Sequence, residues 1–317
     1  MRFVFAFVLA TASGQSIVYS AGYAAPSPAP QRIAPGQIFT IFVSGVMPNT
    51  SGPVSVPGGQ PLPTTLAGLT AQIAQAGSGL QSPLIPILAV VPHGSPCPPI
   101  AYNPNCLLTW VSVQIPYEIT YAIPGEGGFP SSVFLTVSDG TNSSTPIELS
   151  PVEDQIHVLT DDTIRQSLNG GQMYPLQGPA ITHANGALVD LANPAIPGEE
   201  LVMYTVGLGL APNAKTGQPT ASPAISLRGF SMKYDYTANA APSSNKPPTA
   251  APGPGAPDPS ILFVGLVPGL VGTYQVNFVI PSPPGPLTPC GAAVVSNLTV
   301  SLNGSYSFDG AGICVAQ

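Results

Sequence analysis

Three histidines, His93, His157 and His183, are the side chains best suited to proton transfer or metal ligation near neutral pH. They lie far apart in the chain, and none belongs to an H-E-x-x-H pattern that would set two imidazoles on one helical face. A G-x-S-x-G nucleophile turn is absent, as are a phosphate loop, a dinucleotide fingerprint and a D-x-D-x-D-G calcium loop. The adjacent acids Asp161-Asp162 and Glu199-Glu200 do not make a catalytic pair on a strand, where neighbours point to opposite sides. The histidines therefore read as structural or surface groups. Only a site assembled in space from distant segments would change that, because triads are defined by geometry and not by chain order. Neither a metal nor a cofactor is expected.

Four cysteines are the next chemical feature. Cys97 and Cys106 bracket the turn-rich stretch PPIAYNPN, and Cys290 and Cys314 bracket a segment containing the hairpin-favouring Asn303-Gly304. Neither pair has C-x-x-C spacing, so disulfide staples fit better than zinc or redox chemistry. Three connectivities are open, and local pairing is the simplest. The single tryptophan, Trp110, lies in TWVSVQI. Alternation there turns Val111, Val113 and Ile115 inward and Trp110, Ser112 and Gln114 outward. With Tyr102, Tyr117 and Tyr121, an outward Trp110 would form a surface for a sugar ring or a partner protein. The competing reading packs Trp110 beneath the Cys97–Cys106 loop.

The elements that must position these residues follow from composition. Hydrophobic residues make up 44% of the 317, and charged residues 7%, against roughly 25% in ordinary soluble domains. With 41 prolines and 34 glycines, long helices are excluded and turns are abundant. All-β architecture with long loops is the expectation. Net charge is −7, with only seven Lys plus Arg scattered along the chain. No basic patch exists to neutralise phosphates, so nucleic acid is not expected as a partner. Eight of the fourteen acids fall between Glu148 and Glu200, which reads as a solvated connector.

The stretch ILFVGLVPGLVGTYQVNFVIP (Ile261–Pro281) is interrupted by Gly265, Pro268, Gly269 and Gly272 and carries Gln275 and Asn277. It therefore reads as two strands and a turn, not a membrane span. A weaker copy, TWVSVQIP (Thr109–Pro116), precedes it, and other segments of the two halves match in the same order. Ala34-Pro35-Gly36 opens QIFTIFVSGV as Ile196-Pro197-Gly198 opens EELVMYTVGLG, PILAVVP matches SILFVGLVP, and LTVSDG resembles LTVSLNG. Matches in one order along the chain indicate an internal duplication. LAGLTAQIAQAG (66–77) has helical propensity, but in this setting strand and loop are preferred. Residues 1–14 read as a signal peptide: one positive charge, the apolar run FVFAFVLATA and small residues before Gln15. The expected organisation is a first repeat over 15–152 and an acidic connecting segment over 153–195. A second repeat follows over 196–317, with a flexible Pro/Ala-rich loop at 237–259. Each repeat is expected to be an immunoglobulin-like β-sandwich.

APGQIFTIFVSG, WVSVQIPYEI, ALVDLANPAIPGEELVMYTVGLG and FVGLVPGLVGTYQVNFVIP resemble the C-terminal domain family abundant in secreted proteins of Solibacter and other Acidobacteria. The likeness spans nearly all of the chain after the signal peptide. It departs at Trp110 and Ser112, where that family carries Gln and Asn. It implies secretion and β architecture, and the family has no established activity. The sequence reading is thus a secreted or cell-surface, non-enzymatic, adhesion-type module that recognises glycan or protein, with no membrane span in the mature chain. A structural spacer of the envelope is the alternative, and an extracellular hydrolase the weaker one.

Overall fold

Valine, isoleucine, phenylalanine and threonine at alternating positions, broken at short intervals by proline or glycine, favour short strands over helices. A computed structural model describes residues 17–19, 31–75, 84–92, 108–121, 132–161, 178–221, 229–234, 258–282, 285–290, 297–302 and 308–316. The protein is all-β: among these residues there is no helix.

The chain begins with β1 (Ile17–Tyr19), β2 (Gln31–Ile33), β3 (Ile38–Val43), β4 (Val54–Ser55), β5 (Thr65–Leu66) and β6 (Leu69–Gln75). β7 (Leu84–Ile85), β8 (Ile87–Val91), β9 (Thr109–Gln114), β10 (Val133–Ser138) and β11 (Ile147–Pro151) complete the first half. The second half holds β12 (His157–Val158), β13 (Thr160–Asp161), β14 (Gly178–Pro179), β15 (Ile181–His183), β16 (Glu200–Val206) and β17 (Phe230–Tyr234). It ends with β18 (Ser260–Leu266), β19 (Tyr274–Val279), β20 (Leu298–Leu302) and β21 (Phe308–Ala311). Within the stretch 66–77, Leu69–Gln75 is a strand, β6, as tertiary pairing with β10 outweighs its helical propensity.

In the first half, the sheet β1-β3-β9-β8-β4 and the sheet β2-β11-β10-β6-β5 share one apolar core. Ile41 and Val113 from the first meet Ile73 and Leu135 from the second there, all buried. In the second half, β12-β16-β19-β18 and β17-β20-β21 enclose a separate core, with Met203 and Phe278 on one side and Tyr234 and Val300 on the other. β15 also pairs with β16, and β13 pairs with β14.

The pairings of the two halves correspond. Phe39 faces Val113 across β3 and β9, and Leu201 faces Phe278 across β16 and β19. A bulge interrupts β8·β9 between Ile87 and Ala89, and another interrupts β18·β19 between Ile261 and Phe263. The turns before β3 and β16 have the same hydrogen bonds. Gly36 N donates to Ile115 O at 2.9 Å and Ala34 N to Gln37 Oε1 at 2.8 Å. Gly198 N likewise donates to Ile280 O at 2.7 Å and Ile196 N to Glu199 Oε2 at 2.8 Å. Both glycines have positive φ, +73° and +84°, a conformation that a β-carbon disfavours.

The region expected as a connector, 153–195, is folded wherever it is described. β12 and β15 pair with β16, and Ile156, Val158, Ile181, Val189 and Ala195 enter the second core. Asp154 is buried, Asp161 lies in β13, and Asp190 holds a turn, its Oδ1 accepting from Ala192 N and Asn193 N, both at 2.8 Å. The apolar residues between the acids determine its fate, and charge density along the chain hides them.

Cys290 and Cys314 are disulfide-bonded, with Cα atoms 5.5 Å apart. They bracket the antiparallel pair β20·β21, in which Leu298 faces Ala311. Residues 1–14, Cys97, Cys106, Tyr102, His93, Asn303-Gly304 and loop positions 237–257 lie outside the described residues. Among the described residues no helix is long and apolar enough to cross a membrane. Ile261–Pro281 instead forms β18, a turn in which Val267 N donates to Thr273 O at 2.9 Å, and β19.

Candidate functional site

Of the residues singled out for binding, Trp110 lies on β9, Tyr117 and Tyr121 follow it, and Tyr102 lies outside the described residues. Trp110 is half-buried at the start of β9. It meets Phe42, its partner across β3·β9, edge-on with ring centroids 4.8 Å apart and planes at 66°. Tyr117 follows the other end of β9, roughly 20 Å away at about 3.3 Å per residue. Tyr121 is half-buried beyond it. Trp110 and Tyr117 are therefore not brought together on one surface.

Tyr117 is instead part of a junction between the halves. Its ring covers Gly36, where any β-carbon would overlap it. Its hydroxyl bonds with that of Tyr274 on β19. Tyr274 Oη also donates to Gly209 O at 2.7 Å. Gln114, expected outward, is fully buried. It accepts from Gly217 N at 2.6 Å through Oε1. Tyr117 N donates to Thr216 Oγ1 at 3.0 Å, and Thr216 Oγ1 donates to Glu118 Oε2 at 2.6 Å. Leu62 N donates to Gly217 O at 2.8 Å, and Gly59 N to Gly269 O at 2.6 Å. Gly272, at φ +64°, lies against Gly36 O and Ile38, leaving no room for a side chain.

Sequence reasoning missed Thr216, Gly217 and Gly272 as junction residues. The visible signal was small residues in loops, but that pattern does not say what approaches them.

Burial pushes the Tyr117 phenol up to about 12, partly opposed by its bond with Tyr274, while the Glu118 charge raises it further. A group whose folded pKa lies above its unfolded value of about 10 contributes stability that is intact below pH 10 and is lost as pH rises through the folded value. Alkaline titration should therefore erode stability between about pH 10 and 12. Tyr117→Phe should flatten that slope, measured as the urea midpoint at each pH; an unchanged slope would remove Tyr117 as the cause.

Among the described residues two imidazole–carboxylate pairs occur, both within the second half. His183 Nδ1 lies 2.5 Å from Glu199 Oε1, and its Nε2 lies 3.1 Å from Asn193 O. His157 Nδ1 approaches Asp309 Oδ2 at 3.8 Å, and its Nε2 lies 3.3 Å from the Gln155 side-chain amide. A triad needs the second ring nitrogen turned toward a nucleophile. In both pairs that nitrogen faces an amide or a carbonyl. The pairs act as ties between strands: β15 to the start of β16, and β12 to β21, where Asp309 Oδ2 also accepts from Val158 N at 2.7 Å. They flank opposite ends of β16, His157 beside Val206 and His183 beside Leu201. Among the described residues no group of three His, Cys, Asp or Glu converges as for a metal.

Compared with known proteins, the chain matches no family model, no curated protein sequence and no solved structure. What the fold and the junction define is a class: an all-β protein whose two halves are joined by direct hydrogen bonds.

Proposed function

We propose that this protein is a secreted, non-enzymatic structural module of the cell envelope, a rigid spacer or assembly unit. It would have arisen by duplication of an immunoglobulin-like sandwich. The junction carries the reading: Gln114, Tyr117 and Glu118 of one half are hydrogen-bonded to Gly217, Tyr274 and Thr216 of the other. Such a joint transmits orientation, which a flexible linker does not. Matching registers and matching bulges support the duplication. The Cys290–Cys314 disulfide and the apolar run after Arg2 support export, since disulfides persist outside the cytosol. The resemblance to the secreted acidobacterial domain family points the same way.

The test is rotational diffusion by 15N relaxation. Wild-type halves should tumble as one body. In Gly217→Val/Gly272→Val, where side chains push into Pro86 and the Gly36 carbonyl, they should tumble separately. Independent tumbling in the wild type would remove the basis for a spacer.

A second reading, recognition of glycan or surface protein, rests on the half-exposed Trp110 edge-on to Phe42. Saturable binding on a glycan array, lost in Trp110→Ala, would favour it over the spacer.

A further inference from the structure

Both ring nitrogens of His183 meet oxygen. Nδ1 lies 2.5 Å from Glu199 Oε1, and Nε2 lies 3.1 Å from Asn193 O. An ionised carboxylate and a backbone carbonyl only accept hydrogen bonds. A neutral imidazole has one N–H, so it serves one of these oxygens and turns a lone pair on the other. The doubly protonated ring serves both. His183 is 8% exposed, so water does not stand in for a missing proton.

The charges around the ring have one sign. The described elements beside it are the turns 184–193 and 195–199 and strand β16, with His183 facing Leu201. Their ionisable groups are Asp190, Glu199, Glu200 and Tyr204, with no lysine or arginine. Each carboxylate is itself held: Glu199 Oε2 by Ile196 N, Asp190 Oδ1 by Ala192 N and Asn193 N, and Glu200 Oε1 by Asn277 Nδ2. The first half has no counterpart. Gln37 stands there in the place of Glu199, its Oε1 accepting from Ala34 N as Glu199 Oε2 accepts from Ile196 N, and it carries no charge.

We propose that His183 is a proton-operated clasp. Carrying both protons, it pins the 190–193 turn to the 196–199 turn; on losing one, it releases one of them. The two turns carry Leu191 and Ile196, 45% and 59% exposed, so the proton fixes the apolar surface at the start of β16. The opposite end of β16 leads to Gly207, against Gln155 and Gln37 of the junction, where the equivalent turn has the neutral Gln37. The folded chain then binds one proton more than the unfolded chain through about pH 6 to 8, where an exposed imidazole discharges. Stability falls as pH rises wherever the folded state binds more protons, by up to about tenfold in the unfolding equilibrium per pH unit for one proton.

Two measurements on the full chain test this. Two-bond proton–nitrogen spectra at about pH 6 should show both His183 nitrogens bearing hydrogen; a single N–H there overturns the proposal. Urea unfolding at about pH 6 and about pH 8 should then compare the wild type with Glu199→Gln, which gives the second half the residue that the first half already accommodates and keeps an acceptor for Ile196 N. The wild-type unfolding constant should rise about tenfold more than that of Glu199→Gln between the two pH values, a difference in which the other histidines cancel. His183→Gln should lose the same rise, and His157→Gln should keep it. A clasp that acts without its proton makes Glu199→Gln less stable by an equal factor at both pH values, and that result also overturns the proposal.

Discussion

Phe278→Ala should lower the stability of the second half by about 3–5 kcal/mol, the cost of emptying a fully packed aromatic site. Phe278 is completely buried. It sits centrally in its sheet, facing Leu201 on β16 and Ile261 on β18. Strands on both sides prevent the site from collapsing around a smaller side chain, which places it toward the upper part of that range. The measurement can also locate the loss. Trp110, the single tryptophan, lies in the first half, so its fluorescence reports that half, while far-UV circular dichroism reports both. If the junction couples the halves, both signals should move to lower urea together; if not, dichroism alone should show an early transition. Phe308→Ala, at an exposed position, should change stability by no more than about 0.5 kcal/mol. A loss below about 1 kcal/mol for Phe278→Ala would contradict the packing described here.

Removing the Cys290–Cys314 disulfide, as Cys290→Ser/Cys314→Ser, should cost on the order of 3 kcal/mol. The bond closes a loop with a sequence separation of 24, and the loop-entropy relation gives about that value. The expected result is a lower urea midpoint for the variant, reproduced in the wild type by reductant. Cys314 is buried beside Ile313 and Val315 of the second core, so the serine at 314 should add a desolvation cost that reduction of the wild type does not. A wild type indifferent to reductant, or peptide mapping that finds free thiols at 290 and 314, would overturn the assignment.

Local chemistry made much of the architecture legible. Alternation in Tyr274–Ile280 marked β19 and its inward face, because a strand presents successive side chains to opposite sides. Ala34-Pro35-Gly36 and Ile196-Pro197-Gly198 marked the starts of two strands, because proline fixes φ and glycine tolerates the positive φ that follows. The pairing of Cys290 with Cys314 was the simplest of three open connectivities, and the structure selects it. The connector at 153–195 was misread because clustered charge was weighed above the apolar residues between the acids. Trp110 and Tyr117 were grouped by closeness in sequence, but they lie beyond opposite ends of the extended stretch that separates them.

What sequence alone determined is which way each side chain faces relative to its own sheet. Gln114 does point away from the β9 core face, as alternation requires. Whether that outer side meets water or protein was decided by tertiary structure. The second half docks over it and buries Gln114 and Tyr117 against Gly217 and Tyr274. The two proline-glycine turns make the same point. Their local hydrogen bonds correspond, yet Ala34 is fully buried while Ile196, at the equivalent place, is 59% exposed. A period of two is written by neighbours in the chain. Docking depends on surfaces brought together from loops far apart in sequence, and no local pattern records which of two equivalent ends will be covered.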